Sequence, residues 1–173
     1  LGQLMLEFMN GAKSVFFMSH EQMNIHKESL SGLRGDNLFV LSSLFGDEFF
    51  KKIDSARGRK KDNRWVILGS QSWVKGARES EEWCKANDLP FDVVWNLSPG
   101  EFLDKLASSK GICFKPGGLD TCPRFVIEAK LLDCELELNE NVQHSNEEWF
   151  TGTHEETIEY LRSRPGFFWE TAF

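Results

Sequence analysis

The sequence is short of positive charge, of tyrosine, of paired cysteines and of long apolar runs. Each shortage argues against a class of function. Twenty Lys and Arg face 27 Asp and Glu, for a net charge of −7. That balance argues against general binding to nucleic acid or to an anionic membrane. The one basic run, Arg57-Gly58-Arg59-Lys60-Lys61, falls between a helix-like and a strand-like segment and reads as a solvated loop. The four cysteines, Cys84, Cys113, Cys122 and Cys134, contain no Cys-x-x-Cys pair, so no metal site is expected. Free thiols in a reducing, cytoplasmic compartment are the simpler reading. His20, His26, His144 and His154 are scattered, with no partner at metal or triad spacing. Among them His20 stands out, because it follows a strand end at Ser19. No segment is long and apolar enough to span a membrane, and no secretory signal is present. A single Tyr stands against 15 Phe and six Trp, which points to a Phe-packed core and some aromatic surface that meets a partner. The chain opens on Leu1, so a piece of a longer protein is expected.

Short apolar runs alternate with helix-like segments. Strands are expected at 15–18, 38–41, 65–68, 91–95, 112–114 and, with a wetter pattern, 134–138. Helices are expected at 47–56, 77–86, 98–106, 121–132 and 155–162, with Ser98 and Thr153 as N-caps. This order predicts parallel βαβ units, and the near-continuous apolarity of the strands predicts burial on both faces. The fold class is therefore α/β, a doubly wound, mostly parallel, Rossmann-like sheet. Residues 19–37 are polar and turn-rich, so a boundary is placed there: 1–36 as the end of a preceding domain and its connection, 37–173 as the Rossmann-like domain.

Ligands of such sheets sit outside the carboxyl ends of the strands. The segment from Lys115 to Ala129 is the strongest candidate there. A strand ends at Gly117-Gly118, and a helix expected near Thr121 would offer unpaired amides to a phosphate. Arg124 adds a cation in the first turn. Asp120 and Glu128, with seven residues between them, could line one cleft and accept hydrogen bonds from sugar or ribose hydroxyls. Equally, Asp120 could be an N-cap and Glu128 part of a solvated face. Lys75, in the loop from Gly69 to Gly76, could pair with a diphosphate or simply be exposed. Asn96-Leu97-Ser98 could face a base or be an ordinary turn. Cys122 at a helix start has no base nearby in sequence and is not read as a nucleophile.

The run Asp120-Thr121-Cys122-Pro123-Arg124-Phe125-Val126-Ile127-Glu128-Ala129 resembles the donor-site signature of group 1 glycosyltransferases of the GT-B fold. That signature has two acids with seven residues between them, the second followed by Ala. Gly69 with Lys75-Gly76 resembles the same family's upstream phosphate loop. The likeness runs from about Asn37 to Trp149, and residues 12–19 resemble the last strand of the partner domain. The resemblance implies that Glu128 holds the ribose hydroxyls and Asp120 the transferred sugar. It further implies that Lys75, Arg124 and the backbone of Thr121 and Cys122 neutralise the diphosphate, that Leu97 frames the base, and that Ser70, Gly117 and Gly118 complete the donor site. Departures are Asp120 for the family's Glu, Ser70 for its Arg, and Thr121-Cys122-Pro123 for its Gly-Phe-Gly.

The resemblance thus implies the donor-binding half of a retaining, metal-independent hexosyltransferase. It needs no cofactor and takes a nucleoside-diphosphate sugar as substrate. Its partner would be an N-terminal acceptor domain of the same chain, without which it turns over nothing. Trp149, Phe150, Phe167, Phe168 and Trp169 would pack on that domain. The rivals are a non-catalytic, flavodoxin-like interaction module and half of a sugar-nucleotide epimerase.

Overall fold

All six apolar runs form strands, but in two separate sheets. The computed structural model describes residues 2–173. Strands β1 (Val15–Phe17) and β2 (Leu38–Val40) pair in parallel. Strands β3 (Trp65–Leu68), β4 (Phe91–Val94), β5 (Gly111–Phe114) and β6 (Glu135–Leu138) form a parallel sheet in the order β4-β3-β5-β6. The protein is α/β and Rossmann-like. Among the described residues no helix is long and apolar enough to cross a membrane.

Contacts divide the chain into a central unit, Asp47–Val142, and a terminal unit made of residues up to Gly46 together with Gln143–Phe173. The boundary expected at 36/37 therefore lies inside the terminal unit, and the C-terminal helices join that unit rather than the Rossmann-like one. Aromatic packing is the reason. Phe168 sits 5.5 Å from Phe16 on β1, and Phe167 lies 6.2 Å from Phe39 on β2.

The central unit carries helices α3 (Asp47–Ala56), α4 (Ala77–Ala86), α5 (Pro99–Ser108) and α6 (Arg124–Leu131). Side chains alternate across a strand. Trp65, Ile67 and Cys113 face one side and bury Cys84 and Trp83 of α4. Phe114 faces the other, 4.7 Å from Phe125 of α6, and α5 packs against both α3 and α6 there. The central strands β3 and β5 are thus covered on both faces and read as unbroken apolar runs, whereas the edge strands β4 and β6 carry Asp92, Glu135 and Glu137. Ser98 and Glu101 cap α5 reciprocally, as a capping box.

Helix α6 starts at Arg124, three residues later than the sequence suggests. Asp120 is held extended, its amide donating to the Asn141 carbonyl at 2.8 Å in a bridge with Val142. Pro123 is extended as well (ψ 111°), and a residue before proline avoids the helical region.

In the terminal unit, α1 (Gly2–Gly11) and α2 (His20–Ser29) occupy stretches in which no helix was expected. Helix α2 buries no residue and so has no apolar stripe to read. Its start is fixed instead by Ser19, whose hydroxyl accepts from the Gln22 amide at 3.0 Å. Met9, Phe17 and Leu38 form the unit's core. Buried Asn37 donates to the Met9 and Ala12 carbonyls at 2.9 Å each, tying the end of α1 to β2. A short helix α7 (Glu148–Thr151) follows a 3-10 turn at Gln143–Asn146. Helix α8 (His154–Ala172) then continues through Pro165, ten residues beyond the stop expected at Arg162.

Candidate functional site

The strand order reverses between β3 and β5, so the loops leaving those two strands meet at the carboxyl edge of the sheet. Their contact is close. Gly76 has φ +59°, and a Cβ there would lie 1.7 Å from the Lys115 carbonyl oxygen. Only glycine fits such a position. The Gly117 amide donates to the Val74 carbonyl at 3.1 Å. The 3-10 turn Trp73–Lys75 brings Lys75 Nζ to 2.7 Å from Asp120 Oδ2, an ion pair in which the aspartate is only 13% exposed. Two of the expected donor-site residues, from distant parts of the sequence, are therefore partners of one another.

The glycine pair has a second explanation. A Cβ on Gly117 would meet the Trp73 ring and carbonyl at 3.0 Å, and one on Gly118 would come within 3.6 Å of the same ring. These glycines admit a tryptophan. Ser70 is engaged locally, its hydroxyl accepting from the Ser72 amide at 3.1 Å. Thr121 is half-buried and Cys122 buried, both ahead of α6 rather than inside it. The amides expected at the helix mouth thus move to Arg124 and beyond, after a proline that has none.

A cavity of about 330 Å³ opens beside this cluster, at the ends of β3 and β4. Trp95, Leu97, Phe102 and Phe125 give it apolar walls, and Arg124 and Glu128 supply its charges. The helical spacing explains the last pair, since residues four apart on α6 share a face. Asn96, at φ +50°, turns the chain after β4 so that Trp95 and Leu97 both reach the cavity. Trp95 lies against Gly69, where a Cβ would come 2.2 Å from the indole, and it remains 49% exposed.

Glu128 is the unusual group. Among the described residues nothing donates a hydrogen bond to its carboxylate. Burial pushes its pKa above the usual carboxylate range, and the nearby Arg124 guanidinium only partly offsets this. The thiols show the opposite of activation: burial pushes Cys113 up to about 12 and raises Cys84 and Cys134 too.

Of the expected residues, then, the cavity unites Leu97, Arg124 and Glu128. Lys75 and Asp120 pair with each other. Ser70, Gly117, Gly118, Thr121 and Cys122 do not line the cavity. Trp95, Phe102 and Phe125 do line it and were not singled out from the sequence. Trp95 ends a run that the sequence assigns to a buried strand, and the two phenylalanines fall inside expected helices. Their signal was weak: an aromatic at a strand's carboxyl end beside a polar turn. Among the described residues no group of three or more His, Cys, Asp or Glu is placed to hold a metal ion. Comparison with protein-family models, with curated proteins and with solved structures finds no match for this chain.

Proposed function

We propose that the central unit binds a nucleoside-diphosphate sugar as the donor-binding part of a glycosyltransferase. The observation that carries this is Glu128, a half-buried carboxylate that receives no hydrogen bond among the described residues, lining an apolar cavity of nucleoside size. Such a group is costly unless a ligand completes it. A ribose diol supplies two O–H donors at once. Trp95 and Leu97 offer the base an apolar face, and Arg124 with the first turn of α6 offers charge and amides to the diphosphate. Lys75 is the second cation, released to the diphosphate when its partner Asp120 takes up hydroxyls of the sugar. Such a site needs no metal, because protein cations stabilise the leaving diphosphate. Transfer of the sugar, with its configuration retained, would need an acceptor domain closed over the donor, so the central unit by itself binds donor without turning it over.

The test is titration with UDP, GDP, ADP and their glucose conjugates, followed by calorimetry and by the amide spectrum. The expected result is binding of one base class that shifts the amides from Trp95 to Glu128. Glu128→Ala should weaken it roughly thirtyfold, about 2 kcal/mol, with the melting temperature kept. No response to any of the nucleotides overturns the reading. A second reading, a flavodoxin-like interaction module, is favoured by the Lys75–Asp120 pair and by Trp73 over the glycines, which leave that loop cluster complete without a ligand.

A further inference from the structure

The terminal unit holds a larger cavity, of about 970 Å³, whose polar groups the nucleotide reading does not use. His20, the first residue of α2, stands at it with a side chain 66% exposed, while its partner Glu147 is only 6% exposed. Glu147 Oε1 accepts from the His20 backbone amide at 2.6 Å, and Oε2 lies 2.6 Å from His20 Nδ1. An ionised carboxylate accepts only, so Nδ1 carries the proton. In the neutral ring Nε2 is then an acceptor, directed away from Glu147. A buried carboxylate that grips both the backbone and the ring of an exposed histidine fixes the direction of its free nitrogen.

A second group in the same cavity is equally fixed. Trp149 stacks on Tyr160 at 4.9 Å. The Arg164 guanidinium lies 4.2 Å from the Tyr160 ring and 4.6 Å from Phe167. Its hydrogen bonds go to the Tyr160 carbonyl and the Ser163 hydroxyl, not to a carboxylate. The stacked column holds the plane of the guanidinium and leaves its edge for a ligand.

Charge selects the class of ligand. Glu147, Glu148 and Glu156 line the cavity with Arg164 and His20. Glu147 is used by His20, and Glu156 accepts from the Thr153 amide in the cap of α8. Exposed Glu148 remains as an acceptor. An anion would meet three carboxylates, and a compact cation would meet Arg164. A neutral polyol meets neither penalty. Its hydroxyls can donate to Glu148 and to His20 Nε2 and accept from Arg164, while Phe39 and Val40 of β2 give an apolar floor for its carbon face.

We propose that this cavity is a binding site for a neutral saccharide, with His20, held by Glu147, reading one of its hydroxyls. The proposal stands independently of the nucleotide site. The test is saturation-transfer NMR on the full chain with glucose, galactose, mannose, N-acetylglucosamine and their common disaccharides, and with glucuronate as the charged control. The expected result is transfer to the ring protons of at least one neutral sugar. It should weaken roughly tenfold in affinity in both His20→Ala and Glu148→Ala, the effect of one lost hydrogen bond, with the folded amide spectrum retained in both variants. Silence from every neutral sugar, a response to glucuronate alone, or an affinity that either substitution leaves unchanged overturns the proposal.

Discussion

Glu128 is half-buried and Glu147 buried, one in each unit, and the protein treats them in opposite ways. Glu147 is more enclosed and has both oxygens bonded, to the amide and the ring of the same histidine. Glu128 receives no donor among the described residues, and its proton affinity rises. The contrast shows that burial alone does not decide whether a carboxylate is structural or available. The count of donors does. A bonded carboxylate stabilises its surroundings, whereas an unbonded one is a cost that a ligand can remove.

The largest effect expected from this contrast is on stability at Glu147. Glu147→Ala strips the acceptor from the His20 amide and ring and should cost about 2 kcal/mol, read as a drop in the urea midpoint. Equal stability of the variant would mean that the pair is ornamental. Glu128→Gln should do the reverse and leave the protein as stable or more stable at neutral pH. The sign follows from linkage. A carboxyl whose folded pKa is raised helps the fold below its unfolded pKa, and that help is lost as pH rises through the folded pKa. The wild type should therefore lose stability relative to Glu128→Gln as pH climbs out of the ordinary carboxylate range, measurable by melts across that window.

Asp92 is the intermediate case and carries the smallest effect. Arg64 first, then Lys105, hold its pKa down to about 2. Its contribution is present above the usual carboxylate range and is lost as pH falls through about 2. Being a third exposed, the Arg64–Asp92–Lys105 cluster is screened, and Asp92→Asn should cost about 1 kcal/mol, less in high salt. A larger, salt-independent loss would show that the cluster is effectively dry.

The central sheet was legible because burial on both faces writes its inner strands as unbroken apolar runs, as in Trp65-Val66-Ile67-Leu68, and its edge strand β6 as an alternating one. The N-caps Ser98 and Thr153 were legible because capping is local. What stayed hidden depends on distance in the chain. The pairing of Asp120 with Val142, which delays α6, leaves no mark near Asp120 itself. Helix α2 has no buried face and so no periodicity. The partner of His20 lies 127 positions away. Of the candidate site, Arg124 in the first turn of α6 and Glu128 further along it were legible in the sequence, but the aromatic walls were not. Whether Trp95, Phe102 and Phe125 face a core or a cavity is settled by how the elements pack, not by their spacing.

The terminal unit is assembled from both ends of the chain, with the central unit as a continuous insertion between Gly46 and Gln143. During synthesis the inserted part is complete before the aromatic helix α8 has left the ribosome. Phe16 and Phe39 must therefore wait, uncovered, for Phe168 and Phe167. Closing that long loop is slow compared with the local βαβ pairings of the insertion. The order of maturation is thus written into the connectivity: the Rossmann-like part can ripen alone, and the histidine cavity exists only once the last helix has come home.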